Sequence, residues 1–393
     1  MSSGSGSGRE IPGDVRRGGG NRLLGLELIR FSAALAVLVW HYQHFSYVGA
    51  TPMNFVREQQ PFYPLLSLFY NFGHFGVQVF WTISGFIFFW KYRDLIANRI
   101  VDGKKFFVLR FSRLYPLHIA TLCIVALLQL LYFHRHQIYF VYPFNDLLHF
   151  VYQLFFASNW GFQQGDSFNG PIWSISVEVV VYCIFFLTLR FISRSALVNI
   201  VVVALWLAAT KAHFFSQITE CLLYFYLGGF TAIASKYLDA SGFRKQLTIV
   251  SALLAVSIPV AVVCCSLYRI RNFDIWFLKL YVPILLLAVA RDIAVGPLIS
   301  KWIIAAGNMT YASYLFQFPL QLLIVSCFDW SNTPIPYHSP YFFLAFMASV
   351  LTASFYIYRH FEMPAQDAIR KKLSAAATPS RRVWIADNRA LKG

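Results

Sequence analysis

Apolar runs recur along most of the chain, and each is close to the length of one membrane-spanning helix. These runs lie near 22–44, 71–90, 114–133, 171–189, 195–212, 217–235, 247–268, 273–290, 302–327 and 340–358. A hydrocarbon core of about 30 Å requires roughly 20 apolar residues in helical form. The pattern therefore predicts an all-α fold, a polytopic membrane helix bundle of about ten transmembrane helices.

The segment 145–160 is ambiguous, because it is short and carries His149, Gln153 and Asn159. It could cross the membrane or lie along its outer surface. Cytoplasmic loops of membrane proteins carry an excess of Lys and Arg. When 145–160 is left outside the membrane, most of the 33 Lys and Arg residues fall in loops on one side. This distribution favours ten spans and places both termini in the cytoplasm.

The polar residues at the two ends of the chain predict its domain organisation. Residues 1–20 are rich in Ser, Gly and Arg and contain no apolar run, which is typical of a disordered cytoplasmic tail. Residues 21–362 would form the membrane domain, and residues 363–393 a basic cytoplasmic tail.

Composition agrees with this architecture. Hydrophobic residues make up 58% of the chain and charged residues 13%, against roughly 25% charged residues in soluble domains. The net charge of +16 follows from the excess of basic residues in inner loops, so no nucleic-acid partner is predicted. The six cysteines lie in apolar stretches without metal-ligand spacing, which predicts reduced, buried thiols and no metal site.

The first span holds four ionisable residues, Glu27, Arg30, His41 and His44. Such groups are costly within a bilayer and usually face a bundle interior or a water-filled cavity. At 100° per residue, the eleven-residue step from Arg30 to His41 returns to within about 20° of the same face, roughly 16 Å further along the axis. Alternatively, Glu27 pairs with Arg30 near the inner interface, and the two histidines lie in the outer headgroup region.

A second intramembrane acid, Glu178, lies two turns into the fourth predicted span. That span enters the membrane from the outer side, so we expect Glu178 and His41 to lie at similar depth. A neutral imidazole near a carboxylate is suited to taking a proton from a hydroxyl group.

The inner loop before the third span carries Arg110 and Arg113, three residues apart and therefore on one helical face. The preference for basic residues in inner loops can explain them without any function. The two guanidinium groups could also hold phosphate groups through bidentate hydrogen bonds, and Arg30 could join them. In residues 73–86, small residues alternate with large aromatic ones, which favours close packing of helices.

Five short elements give the chain a family resemblance. They are Arg30 with His41 ten intervening residues later, residues 76–86 (GVQVFWTISGF), residues 110–116 (RFSRLYP), residues 173–178 (WSISVE) and residues 311–315 (YASYL). In this order they resemble acyltransferase family 3, over about residues 21 to 362. Members of this family are membrane proteins that move acyl groups, usually acetyl, onto extracytoplasmic carbohydrates and other acceptors.

The resemblance implies that His41 is the essential catalytic histidine and that Arg30 belongs to the same functional element. It also implies that Arg110 and Arg113 help to bind acyl-CoA. The chain departs from the family pattern at Gln78, where an acidic residue is common, and at Gln317, where His is frequent. No esterase-like domain follows the spans, so transfer would be completed within the membrane domain.

The resulting hypothesis is an acyl-CoA-dependent O-acyltransferase of the bacterial inner membrane. Cytoplasmic acetyl-CoA would donate its acyl group to a hydroxyl of an extracytoplasmic glycan or glycolipid. His41, oriented by Glu178, would either deprotonate that hydroxyl or carry the acyl group transiently. The predicted lining residues of the site are Ser84, Trp173, Ser174, Tyr311 and Tyr314.

Two other classes remain open at this point. A transporter or flippase of a lipid-linked sugar would also place charged residues within the membrane. A regulatory relative without catalytic activity would tolerate the loss of His41. The identity of the acceptor, the acyl chain length and the oligomeric state stay open.

Overall fold

The computed structural model describes residues 23–211, 216–265, 272–290 and 295–375. These residues form mainly helices, linked by short turns and one small antiparallel β-hairpin, β1 (Tyr47–Val48) with β2 (Thr51–Pro52). The helices are α1 (Leu24–His41), α2 (Tyr63–Phe72), α3 (Gly76–Ala97), α4 (Gly103–His136), α5 (Leu147–Leu154), α6 (Ile172–Leu187), α7 (Ala196–Lys211), α8 (Ser216–Ala240), α9 (Arg244–Cys264), α10 (Phe273–Trp276), α11 (Val282–Val289), α12 (Pro297–Asn308), α13 (Thr310–Trp330), α14 (Pro340–Ile357) and α15 (Met363–Ala375).

Eight helical segments in the described part of the chain are long and apolar enough to cross a membrane. They are Leu24–Ser46, Tyr63–Ala97, Gly103–His136, Ile172–Ile192, Gln217–Ala240, Lys245–Val262, Thr310–Trp330 and Pro340–Leu373. A helix satisfies its own backbone hydrogen bonds, which a segment in lipid must do because no water is present there. The predicted fold class, a polytopic helical membrane bundle, is therefore confirmed.

The other two predicted spans fall on shorter helical segments. The segment 195–212 corresponds to α7, which has 16 residues. The segment 273–290 is divided into α10, a π-helical turn (Phe277–Tyr281) and α11. The predicted span 302–327 starts too early, because α12 ends at Asn308 and the membrane-length helix α13 begins at Thr310. Segment 145–160 contains only the eight-residue α5, about 12 Å long and too short to cross a bilayer.

The predicted tails differ in what the structure shows of them. Residues 1–20 lie outside the described residues. The segment 363–393 begins with α15, which continues from α14 through a π-helical turn (Tyr358–Glu362) and packs on α4. Residues 376–393 again lie outside the description. At least the first part of this segment is thus a packed helix.

The close contact of α3 with α8 confirms the packing predicted for residues 73–86. A Cβ atom on Gly85 would lie 1.7 Å from the carbonyl oxygen of Phe225, and one on Gly228 would lie 1.8 Å from that of Thr82. The absence of both Cβ atoms lets the two backbones touch. Aromatic side chains fill the space beside this contact, with the Phe88 and Tyr182 rings stacked at 4.4 Å.

Helices α1 and α13 run parallel and in register. At one level, Arg30 Nη2 donates a hydrogen bond to Thr310 Oγ1 at 3.2 Å. At the other, Gln321 Nε2 donates to the carbonyl oxygen of His41 at 2.9 Å. Eleven residues separate the two contacts on each helix, so the two levels lie about 16 Å apart.

The prediction of buried thiols is wrong for most cysteines. All six are free, but only Cys221 is buried and Cys183 is half-buried. The remaining four are exposed on the surface of the protein, namely Cys123, Cys264, Cys265 and Cys327. An apolar stretch indicates that a helix lies in the membrane but not which of its faces contacts lipid.

Candidate active site

A cavity between α1, α3, α4, α6 and α13 gathers most of the predicted site residues. It has a water-accessible volume of about 130 Å³. Eight predicted residues line it, namely Arg30, Ser84, Arg110, Arg113, Ser174, Glu178, Tyr311 and Tyr314. The remaining wall is largely apolar and includes Val77, Phe80 and Trp81. Charged groups thus converge on an apolar pocket, as they do in ligand-binding sites.

Arg30 is held on two sides at the start of this cavity. Its Nη1 forms a 2.9 Å salt bridge with Glu27 on the previous turn of α1, and its Nη2 donates to Thr310. The Glu27 side chain fits there because residue 307 is glycine, since a Cβ atom at that position would lie 1.9 Å from Glu27 Oε2. The Glu27–Arg30 pair considered from the sequence is present, and its arginine still faces the cavity.

Arg110 and Arg113 project from α4 into the same cavity. Arg110 Nη2 donates to the hydroxyl of Tyr92 at 2.9 Å, and its guanidinium lies 4.8 Å from the centroid of the Phe88 ring. Such cation–π contacts stabilise a cation where water is scarce. Arg113 interacts electrostatically with Glu362 and Glu27. Arg30, Arg110 and Arg113 all line this cavity, while their role in binding a donor stays a prediction.

Glu178 lies among these arginines. Its carboxylate accepts hydrogen bonds from Ser84 and Tyr182 and interacts electrostatically with Arg110 and Arg113. Oε1 of this carboxylate is buried without a hydrogen-bond partner among the described residues. An unpartnered buried carboxylate oxygen costs free energy unless a ligand or water completes it. Glu178 is therefore a polar contact available to a molecule in the cavity.

Hydroxyl groups continue the polar surface toward the other end of α13. The Tyr314 and Ser174 hydroxyls form a 2.8 Å hydrogen bond, and the Tyr311 hydroxyl donates to the carbonyl oxygen of Leu114. Trp173 does not line the cavity. It contacts the cavity residue Trp81 edge to face, with ring centroids 5.6 Å apart.

His41 lies at the far end of α1 from Arg30 and outside the cavity lining. Its Nδ1–H donates to the carbonyl oxygen of Val37 at 2.9 Å. A carbonyl oxygen can only accept, so in the neutral ring the proton is on Nδ1 and Nε2 carries the free lone pair. The rings of Trp40 and His44 flank His41 at 4.8 Å and 5.0 Å. This arrangement orients one imidazole with a basic nitrogen.

The expected pairing of His41 with Glu178 is wrong. Ser174 meets α13 at Tyr314, seven residues and about 10 Å from the level of Gln321 and His41. From there α6 runs toward the arginines, so Glu178 lies roughly 6 Å further away. The partner that orients His41 in the described structure is the backbone of its own helix, through Val37.

Three residues of the site were not singled out in the sequence. Thr310 contacts Arg30, Tyr182 contacts Glu178, and Gln321 contacts the backbone of His41. Tyr182 follows Glu178 by four residues, and residues at this spacing are neighbours on a helix, so the sequence could have predicted this contact. Gln321 follows Thr310 by eleven residues, the same spacing as Arg30 to His41.

The fold and cavity together define a multi-pass membrane protein with an intramembrane polar site. Comparison with known proteins then gives its family. Residues 23–359 match a family model described as an acyltransferase domain, so the chain belongs to acyltransferase family 3. Neither the curated proteins nor the solved structures contain a match to the chain. The protein is therefore a membrane acyltransferase, which supports the enzyme prediction over the transporter alternative.

Proposed function

We propose that the protein transfers an acyl group, most simply acetyl, from cytoplasmic acyl-CoA to a hydroxyl of an extracytoplasmic glycan or glycolipid. The observation that carries the proposal is the fixed offset on α1 and α13. Three arginines and a cavity lie at one level, and an oriented histidine lies about 16 Å away at the other. A donor that is anionic at one end and has its thioester at the end of a long, thin arm fits this offset.

The arginines supply the anion-binding end of the proposed donor site. Glu27 already pairs with Arg30, and Glu178 interacts electrostatically with Arg110 and Arg113. Guanidinium groups bind phosphate by paired hydrogen bonds and remain charged in a membrane. Glu178 would offset the repulsion between the positive charges of Arg110 and Arg113 and accept hydrogen bonds from the donor. In this role Glu178 contributes to donor binding rather than to the basicity of His41.

The arm of the donor would follow one face of α13 toward His41. Thr310, Tyr314, Gln317 and Gln321 lie within about 60° of one another on this helix. Gln317 is buried, and its Oε1 has no hydrogen-bond partner among the described residues. A polar stripe of this kind suits a chain that alternates amide and methylene groups.

His41 would act at the thioester end. As a general base, its Nε2 takes the proton of the acceptor hydroxyl while the hydroxyl oxygen bonds to the acyl carbon. The carbon–sulfur bond then breaks, and the CoA thiolate leaves and is protonated. Alternatively, Nε2 attacks the thioester first and displaces the CoA thiolate. The acceptor hydroxyl then takes the acyl group from the acyl-imidazole, its proton passes to the thiolate, and His41 is left free. In both routes the Nδ1–H bond to Val37 orients the ring.

The acceptor would reach His41 from the side opposite the arginines. The predicted topology makes this the outer side, which agrees with a cell-surface polysaccharide or a lipid-linked glycan in a bacterial inner membrane. O-acetylation of such a glycan is the specific reaction proposed.

The test is release of free CoA from acetyl-CoA by the protein purified in nanodiscs, with and without a crude glycolipid extract. We expect release that depends on the extract and is lost in His41→Ala. His134→Ala is the matched control, because His134 is exposed at the end of α4 and outside the site. Equal release by His41→Ala and wild type would refute the role of His41. Failure of the wild type to bind or consume any acyl-CoA would refute the donor.

A further inference from the structure

Glu362 is a buried acid that has no role in the proposed reaction as described so far. It lies three residues beyond the end of the family match, in the π-helical turn (Tyr358–Glu362) that joins α14 to α15. Only 1% of its surface is exposed. Burying a carboxylate is costly unless cations or hydrogen bonds compensate it. The position of Glu362 therefore requires a reason.

The compensating cations are two arginines of the cavity. Glu362 interacts electrostatically with Arg113 on α4 and with Arg30 on α1. Its Oε1 accepts a 3.0 Å hydrogen bond from Gln366 Nε2, whereas Oε2 is buried with no hydrogen-bond partner among the described residues. One oxygen is thus held by its own helix, and the other is left to act on the two guanidinium groups through charge.

A chain of hydrogen bonds anchors this part of α15 to α4. Arg370 Nη2 donates to Gln366 Oε1 at 3.1 Å, and Arg370 Nε donates to Ser112 Oγ at 3.0 Å. Ser112 is fully buried between Arg110 and Arg113 in the sequence of α4. Glu362, Gln366 and Arg370 follow one another at four-residue steps, so they share one face of the helix. This face of α15 lies against the helix that carries two cavity arginines.

We propose that Glu362 is a positioning residue of the donor site, holding Arg113 and Arg30 toward the cavity, and that α15 is part of that site. The inference rests on the proposed function, because it assigns the arginines to the acyl-CoA. A carboxylate close to a guanidinium limits the directions in which the cation can point. Without it, Arg113 is free to turn toward Glu178 or water, and donor binding weakens.

The experiment measures KM for acetyl-CoA and kcat in Glu362→Gln, which removes the charge and keeps the shape. We expect KM to rise about tenfold, the equivalent of one lost charge contact, with kcat changed less than about threefold. Glu362→Asp keeps the charge and should recover much of the loss. Glu58→Gln is the matched control, because it makes the same change at an exposed residue that is distant from Glu362 in the sequence.

A double variant separates positioning from general support of the fold. If Glu362 acts through Arg113 as well as Arg30, Glu362→Gln should raise KM clearly less in the Arg113→Gln background than in the wild type. Additive effects, or a fall in kcat with unchanged KM, would overturn the proposal. If Glu362→Gln does not fold, KM in Glu362→Asp and its coupling to Arg113→Gln decide the question in the same way.

The two hypotheses fail in different ways. If the wild type neither binds nor consumes acetyl-CoA, the proposed function fails. If the wild type turns over and Glu362→Gln matches it in KM, only the role of Glu362 fails. Equilibrium binding of CoA itself to the nanodisc protein gives a second readout that does not depend on the acceptor.

Discussion

The contact of α3 with α8 predicts a large effect for the smallest possible side-chain change, Gly85→Ala. The new Cβ atom would lie 1.7 Å from the carbonyl oxygen of Phe225 and 2.5 Å from its carbonyl carbon. A carbon and an oxygen in contact are normally about 3.3 Å or more apart. The two helices must therefore separate by about 1.6 Å, because the obstructing atoms belong to the backbone and cannot rotate away.

The expected cost of this separation is at least that of an overpacked core, about 1 to 3 kcal/mol. The rate of CoA release should also fall, by more than the loss of folded protein explains, because Ser84 next to Gly85 contacts Glu178 and lines the cavity. The measurements are the apparent melting temperature in detergent at one fixed scan rate, and CoA release at a temperature where the variant is folded. We expect a fall of several degrees in the melting temperature.

Gly296→Ala is the control for this substitution. A Cβ atom there would meet nothing within 4 Å, and the backbone angle φ of −57° is one that alanine adopts readily. The control should melt at the wild-type temperature. If Gly85→Ala also melts there, the close backbone contact is not a feature of the folded protein.

Three further predictions concern the site and the short helix α5. Arg30→Gln leaves Glu27 without its cation, so it should lower the melting temperature and raise KM for acyl-CoA more than Arg30→Lys does. Tyr314→Phe removes the hydrogen bond to Ser174 and should lower the free energy of unfolding by about 1 kcal/mol. Binding of CoA, measured without an acceptor, should be unchanged. Asp146→Ala removes the N-cap of α5 and should cost about 1 kcal/mol at neutral pH. The backbone N–H of His149 lowers the pKa of Asp146, so this stability is present at neutral pH and lost as pH falls through that pKa; melting curves at stepwise lower pH test it.

The arginines and most spans could be predicted because each depends on local sequence. An apolar run is enough to place a helix in the membrane, and a three-residue step puts Arg110 and Arg113 on one face. The depth of Glu178 could not be predicted in this way. It depends on the level at which α6 meets α13, and that is fixed by the contact of Ser174 with Tyr314 between distant segments.

The part of the site formed by Glu362 was missed for a different reason. The last apolar run ends near residue 358, but the helix continues through the π-helical turn into α15. A π-helical turn adds a residue to the turn and shifts every later side chain relative to the regular helical period. Reading the period across this turn assigns Glu362 and Arg370 to the wrong faces, so that only tertiary packing on α4 reveals them.

The parallel register of α1 and α13 has a consequence for how the length of the proposed donor site can change. Eleven residues are almost a whole number of helical turns, so Arg30 and His41 share a face only at certain separations. Inserting one residue between them would rotate His41 by about 100° away from α13, whereas inserting four would restore the face and lengthen the site by about 6 Å. The same change would have to occur in α13, because Thr310 and Gln321 fix both ends. The site can therefore lengthen only in steps of about one helical turn, and only when both helices change together. A single insertion in one helix cannot adapt the site to a slightly longer or shorter donor.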